Sequence, residues 1–320
     1  MRETEYAHAV AVIRANENNL LTKADLDALA LSESYNAALQ WLEGKGWKIS
    51  GFEPDSYLDR RLNESWCLIM EVAPDSGVLS FLTVPNDFHN AKAALKSFFS
   101  GSEAKFVTPF SVEPDLFKEA LVDKEKIAHL PPYIGPAFRN AYEALSQTMD
   151  GQLAEVILDA AALKALKKKG EDSGSEFIRR ICEMRCAFSD IKICYRAVMT
   201  VKGIEFLEAA LCGTEELPKQ ALINAAQGGL GGLFELLKGG PYEDAAERLR
   251  VSLSEYERFC DDRIMEYARS AKFLSFGPEP LVAYFLAKQA EIKNVRIILA
   301  CKRSGMPAGA IRERERMLYV

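Results

Sequence analysis

Lys288 and Glu291 are the residues whose type and spacing first suggest chemistry. They stand one helical turn apart inside an otherwise apolar stripe, so burial would oblige them to share charge. The long stem of Lys288 favours another arrangement, in which the ammonium is carried out past Phe285 to water. Neither arrangement makes a catalytic site. Cys182, Cys186 and Cys194 fall in one helical stretch, the first two a turn apart. A structural zinc needs four ligands, usually with a Cys-x-x-Cys knuckle, and that knuckle is missing, so buried thiols are expected. Gln227 to Gly232 is glycine-rich but lacks the Lys-Ser or Lys-Thr and the preceding strand of a phosphate loop, and reads as a tight turn between helices. His8, His89 and His129 are far apart, with no neighbouring pattern that marks an acid–base site. The residues therefore predict no catalytic centre, cofactor or metal.

The element that must position the Lys288–Glu291 pair is the longest helical signal in the chain. It starts at Glu279 and Pro280, where a first-turn proline loses no hydrogen bond, and ends at Gly305 and Pro307. Leu281, Tyr284, Phe285, Ile292, Val295 and Leu299 recur at three- and four-residue steps and define its inward face. A second face carries Ala287, Ala290, Asn294, Ile297 and Cys301, too small and apolar for water, so the helix is expected to be enclosed on two sides. After the break, Ile311 to Val320 reads as a second short helix with Arg312–Glu315 and Glu313–Arg316 pairs.

The other periodicities are helical too. A helix over residues 4–19 is followed by a turn and by one helix through Leu26, Leu29, Tyr35, Leu39 and Leu42, stopped by Gly44 and Gly46. Further helices are expected at 56–73, 114–122, 136–149, 151–169, 175–201, 203–212, 218–226, 229–238, 241–250 and 253–272. Leu79 to Pro85 lacks a partner strand and reads as a buried connection. A short pattern recurs: Asn90 with Lys92, Asp190 with Lys192 and Asn294 with Arg296, each pair followed by a large apolar residue, at separations of 100 and 104 residues. Either common residues coincide on three amphipathic helices, or the chain repeats a helical unit of about one hundred residues. The second case divides it into 1–85 with 290–320, 86–186 and 187–289, an all-α, closed, three-part object with its termini close together.

The 320 residues are 48% hydrophobic and 27% charged, an ordinary globular composition. A net charge of −6 argues against nucleic acid as the main partner. The basic cluster Lys164 and Lys167 to Lys169 reads as a solvated helix end. No apolar run reaches the length of a membrane span, and Met1 to Glu5 has no signal-peptide core. Seven cysteines without framework spacing fit a reducing compartment, so a cytosolic chain is expected, meeting a membrane only through another protein.

The run Glu279 to Val320, with Lys288, Glu291, Asn294, Arg296, Arg312, Glu313 and Arg314, resembles the C-terminal signature of one V-type ATPase family, the C subunit of bacterial and archaeal enzymes and the d subunit of eukaryotic ones. At the other end, Tyr6, Arg14, Glu17, Leu20 and Leu21 are similar to that family's opening helix and turn. The middle shares pattern more than identity: Asp190 stands where the family often carries Asn, and Cys212-Gly213 where a Gly-Gly turn is frequent. The resemblance implies a funnel of three helical units and a non-catalytic role. Its implied partners are the central-shaft subunits of D and F type, the membrane rotor ring of proteolipid subunits and the membrane stator subunit, on the cytoplasmic side of the cell membrane. The competing readings are a free-standing helical-repeat adaptor, and an enzyme with a loop-built site.

Overall fold

The computed structural model describes residues 3–49 and 51–320. Among them it contains sixteen α-helices and no strand. In chain order they are α1 (Ala7–Glu17), α2 (Lys23–Leu31), α3 (Tyr35–Gly44), α4 (Pro54–Val72), α5 (Val84–Ser100), α6 (Pro114–Val122), α7 (Gly135–Thr148) and α8 (Gly151–Asp172). They continue as α9 (Glu176–Met199), α10 (Ile204–Ala210), α11 (Lys219–Gln227), α12 (Gly229–Leu237), α13 (Glu243–Val251), α14 (Leu253–Ala268), α15 (Glu279–Arg303) and α16 (Ala308–Arg312). Short 3₁₀ turns occupy Glu3–Tyr6, Gly77–Leu82, Lys124–His129 and Arg269–Phe273. The chain is all-α. It divides into two compact units, one of residues 1–79 and 254–320, the other of residues 80–253.

In the first unit α15 is the central element. Sixteen of its side chains are buried, and it packs against α1, α2, α3, α4, α16 and the turn at Arg269–Phe273. This is the two-sided enclosure that its small second face predicts. Gly305, at φ +70°, ends the helix by letting Met306 N–H reach back to the Cys301 carbonyl. The single helix expected across Leu26 to Leu42 is instead α2 and α3. Ser32 is extended and the Ser34 hydroxyl accepts from Ala37 N–H at 3.1 Å, restarting the helix with a cap that apolar periodicity does not register.

The C-terminal stretch departs most from expectation. Helix α16 stops at Arg312, and the residues beyond Arg314 are not helical. Arg312 pairs with Asp27 at 2.9 Å, Glu315 with Lys23, and Arg316 with Asp261 at 3.0 Å, so the anticipated pairs within the stretch do not form. The backbone bonds that a helix would have supplied come from other elements. Asn294 binds Arg316, the Asp262 carboxylate accepts Met317 N–H at 2.6 Å, and Arg269 donates to the Leu318 carbonyl at 3.0 Å. Leu318 and Tyr319 are thereby drawn into the core.

In the second unit α8 and α9 pack together, α8 also receives α5, α7 and α10, and α9 receives α11 and α12. Leu79 and Phe81 are fully buried, as befits a buried connection, but α5 begins earlier than the apolar run suggests, with Pro85 in its first turn. The Gly228–Gly229 turn brings α12 onto α11 so closely that a Cβ on Gly232 would stand 2.4 Å from the Ala225 carbonyl oxygen. The basic cluster on α8 is not simply a solvated end. Lys167 donates to the Gly213 carbonyl at 2.9 Å, while Lys169 donates to Ser80 at 2.8 Å and lies over the Tyr133 ring. Burial holds the Lys169 ammonium below its usual pKa, the Asp87 charge partly restoring it.

Candidate functional site

The residues that mark the two ends of the sequence meet in the first unit. Lys288 does not snorkel. Its side chain is 5% exposed and its Nζ donates to Glu291 at 2.9 Å, while the other Glu291 oxygen accepts Leu21 N–H at 2.8 Å. The pair thus fastens α15 to the turn after α1, and it stays in place because Glu291 has two donors to satisfy where solvent would offer Lys288 only water. Burial pushes the Lys288 ammonium below its ordinary pKa, Glu291 pulls it back up, and the nearby charge of Arg61 lowers it further. Leu20 and Leu21 are buried in the same turn.

Arg14 performs a different task. One nitrogen of its guanidinium holds both Glu17 oxygens, at 2.7 and 2.8 Å, and approaches the Tyr319 hydroxyl at 3.5 Å. The other donates to the carbonyls of Ala271, Lys272 and Leu274, at 2.7, 3.1 and 2.9 Å. Burial pushes the Tyr319 phenol up to about 12, against the pull of Arg14. Phe273, between two of the bonded carbonyls, is 89% exposed; Leu274 and, two residues further on, Phe276 are 40% and 45% exposed. A rigid backbone therefore presents a cluster of large apolar side chains to water, the kind of patch that marks contact with another molecule. The apolar run here is too short for periodicity to reveal it; only the bonds of Arg14 do.

The three recurring positions do comparable work. Asn90 donates to the Val107 carbonyl at 3.0 Å and accepts Val107 N–H at 2.8 Å; Asn294 does the same to Arg316, at 3.0 and 2.7 Å. Each amide replaces a strand partner for one residue of an irregular segment. Asp190 has no N–H to give and accepts two successive amides instead, Cys212 at 3.0 Å and Gly213 at 2.7 Å. All three side chains are fully buried. Among the bases, Lys92 pairs with Asp159 at 2.5 Å, and Arg296 with Asp55 and Asp59 at 3.1 and 2.6 Å; Lys192 is half-buried. Arg312 lies exposed on its pair with Asp27, and Glu313 and Arg314 face solvent, so these three are not drawn into the cluster.

The sequence reading misses Asp87. One of its oxygens accepts Ser111 and Val112 N–H at 2.8 and 3.0 Å, and the other accepts the Tyr133 hydroxyl at 2.7 Å. It stands three residues before Asn90, as Glu291 stands three before Asn294, a spacing that could have pointed to it.

Asn294→Asp tests the amide clamp. It would set a carboxylate against the Arg316 carbonyl, and is expected to destabilise the first unit by about 1–3 kcal/mol, read from urea unfolding. A cost near zero would show that the donated bond contributes nothing.

Cys182, Cys186 and Cys194 are buried, and burial pushes the Cys182 and Cys194 thiols up to about 12, so they are unreactive. Among the described residues no group of three or more His, Cys, Asp or Glu stands close enough to hold a metal, and no helix is long and apolar enough to cross a membrane.

The described residues form an all-helical chain whose two end segments meet in one bonded cluster. Residues 9–314 match the model of the ATP synthase (C/AC39) subunit family, and the chain belongs to that family. It is similar to the C subunit of the V-type sodium ATPase of Enterococcus hirae, 22% identical over 98% of this chain and 99% of the relative. It is also similar to the C subunit of the A-type ATP synthase of Methanocaldococcus jannaschii, 25% identical over 96% of this chain and 85% of the relative. The family is an accessory subunit of a V-type ATPase, not a catalytic one.

Proposed function

We propose that this chain is the non-catalytic central-stalk subunit of a V-type rotary ATPase or ATP synthase, coupling the central shaft to the membrane rotor ring for ATP-linked transport of protons or sodium ions. Its partners in this reading are the shaft subunits of D and F type and the ring of proteolipid subunits, with the membrane stator subunit as a further neighbour, on the cytoplasmic face of the cell membrane. Full-length similarity to two proteins named as the C subunits of such enzymes supports it. The observation that carries it in the structure is the Phe273–Phe276 cluster fixed by Arg14. A part that transmits torque needs contacts whose backbone does not yield, and preorganised apolar side chains supply them.

The division into three helical units, 1–85 with 290–320, 86–186 and 187–289, closing as a funnel, belongs to the same proposal. Its support is the equivalent clamping by Asn90, Asp190 and Asn294, each on a long helix.

Purified chain should bind a candidate central-shaft pair and, separately, detergent-solubilised rotor ring. Phe273→Ser with Phe276→Ser is expected to weaken one of these two at least tenfold while leaving the other and the melting temperature unchanged. Arg14→Ala should weaken the same partner, with faster amide exchange across residues 271–276. Failure of the folded wild-type chain to bind either partner would overturn the reading in favour of a free-standing helical adaptor.

A further inference from the structure

A cavity of about 590 Å³ opens in the first unit among the α1–α2 turn, the residues after α3, α4 and α15. Its walls are mostly polar, including Asn16, Asn19, Ser65 and Tyr284. Three cations and two carboxylates also face it. The carboxylates are already committed, Asp25 to Lys45 at 2.6 Å and Glu64 to Arg60 at 3.0 Å. Lys288 gives one of its three N–H bonds to Glu291.

Arg61 is left over. Its guanidinium lies 4.1 Å from the centre of the Trp47 ring, and it forms no ion pair with any described residue. Its Nε is buried without a hydrogen-bond partner. The charge of Arg61 stands close enough to raise the cost of charging Lys288, and Glu291 is paired with Lys288 alone. An anion in the cavity would offset the charge of both cations.

We propose that this cavity binds a small oxyanion, best matched by a phosphate group, with Arg61 and Lys288 as its cationic contacts. The planar guanidinium can present its two Nη groups as a fork to two phosphate oxygens, with Trp47 stacked against its face. The Asn16 and Asn19 amides and the Tyr284 hydroxyl supply neutral donors within the same walls. The site does not depend on the coupling role above, since it lies within one compact unit and needs no partner chain. The phosphate could be free or carried by a nucleotide, and the two sources are separated by experiment.

Calorimetric titration and thermal unfolding of the intact chain with sodium phosphate, with ADP and with sodium chloride at matched ionic strength form the test. Phosphate is expected to bind and to raise the melting temperature where chloride does not. Arg61→Gln should weaken phosphate binding at least tenfold, while Arg263→Gln, which removes an exposed cation elsewhere in the same unit, should leave it unchanged. Tighter binding of ADP identifies a nucleotide as the source; equal or weaker binding of ADP identifies free phosphate. Should Arg61→Gln fail to fold, Arg61→Lys keeps a cation over Trp47 but removes the fork, and should still weaken phosphate several-fold. No heat and no shift beyond chloride in the wild type, or unchanged phosphate binding in the Arg61 variant, overturns the proposal.

Discussion

Replacing Glu291 by Ala should destabilise the first unit by about 3–5 kcal/mol, because it strands the Lys288 ammonium in the core and leaves a buried backbone donor unpaired. The expected loss exceeds that for any surface pair in the chain, such as Arg296 with Asp55 and Asp59, whose exposed groups contribute at most about 1 kcal/mol. Lys288→Met in the Glu291→Ala background should recover a large part of the loss, since the stranded charge disappears. Recovery should be incomplete, because Leu21 N–H remains without an acceptor and such a group costs about 1–3 kcal/mol. Urea unfolding of the four proteins of this cycle gives the coupling energy directly. A Glu291→Ala loss below about 1 kcal/mol would show that water in the neighbouring cavity can replace Glu291 as the partner of Lys288.

Asp87→Ala should produce the second large effect, a loss of about 3 kcal/mol or more, since Ser111 N–H, Val112 N–H and the Tyr133 hydroxyl all lose their acceptor in a fully buried place. Asp87→Asn should retain most of the stability: its oxygen can still accept both amides, and its NH₂ can donate to the Tyr133 oxygen. The two variants differ further in pH dependence. Burial raises the Asp87 carboxyl above its ordinary 3.8, against the opposing pull of Tyr133 and the two amides. The native chain therefore holds a proton that the unfolded chain has released throughout the window from 3.8 up to the raised value. Within that window the contribution of Asp87 to stability falls as pH rises. Asp87→Asn lacks this dependence, so its stability relative to wild type should improve as pH rises above 3.8 through the window set by the raised carboxyl. A difference that stays constant across that range would place the native carboxyl at its ordinary value.

The clamps made by Asp87 and Asn90 show why part of this architecture was legible and part was not. Asn90 declares itself by recurrence, since an Asn or Asp with a base two places on returns at Asp190 and Asn294. Asp87 has no such signal, and its role exists only because the irregular segment at 107–112 lies against α5 and needs acceptors for its amides. The departure at Asp190 is explained the same way. An acid in place of an amide fits because the segment there presents two N–H groups to Asp190, while the Gly213 carbonyl is bonded to Lys167.

Composition and apolar spacing determined by themselves that the chain is all-α, that α15 is its most enclosed helix in the first unit, and where most helices begin and end, because those properties follow from local propensity and a 3.6-residue period. The signatures at the two ends likewise determined the family, since they are carried by residue identity. Tertiary structure alone decided the rest. Lys288 stays inside because Glu291 binds it while also holding Leu21, and Ile311 to Val320 abandons the helix because Asn294, Asp262 and Arg269 satisfy its backbone from outside. Arg14 turns from a helix-end residue into the brace of an exposed aromatic loop because three carbonyls distant in sequence converge on it. In each case a long-range polar bond outweighs a local preference worth a fraction of a kcal/mol per residue, and no window of neighbouring residues contains both of its ends.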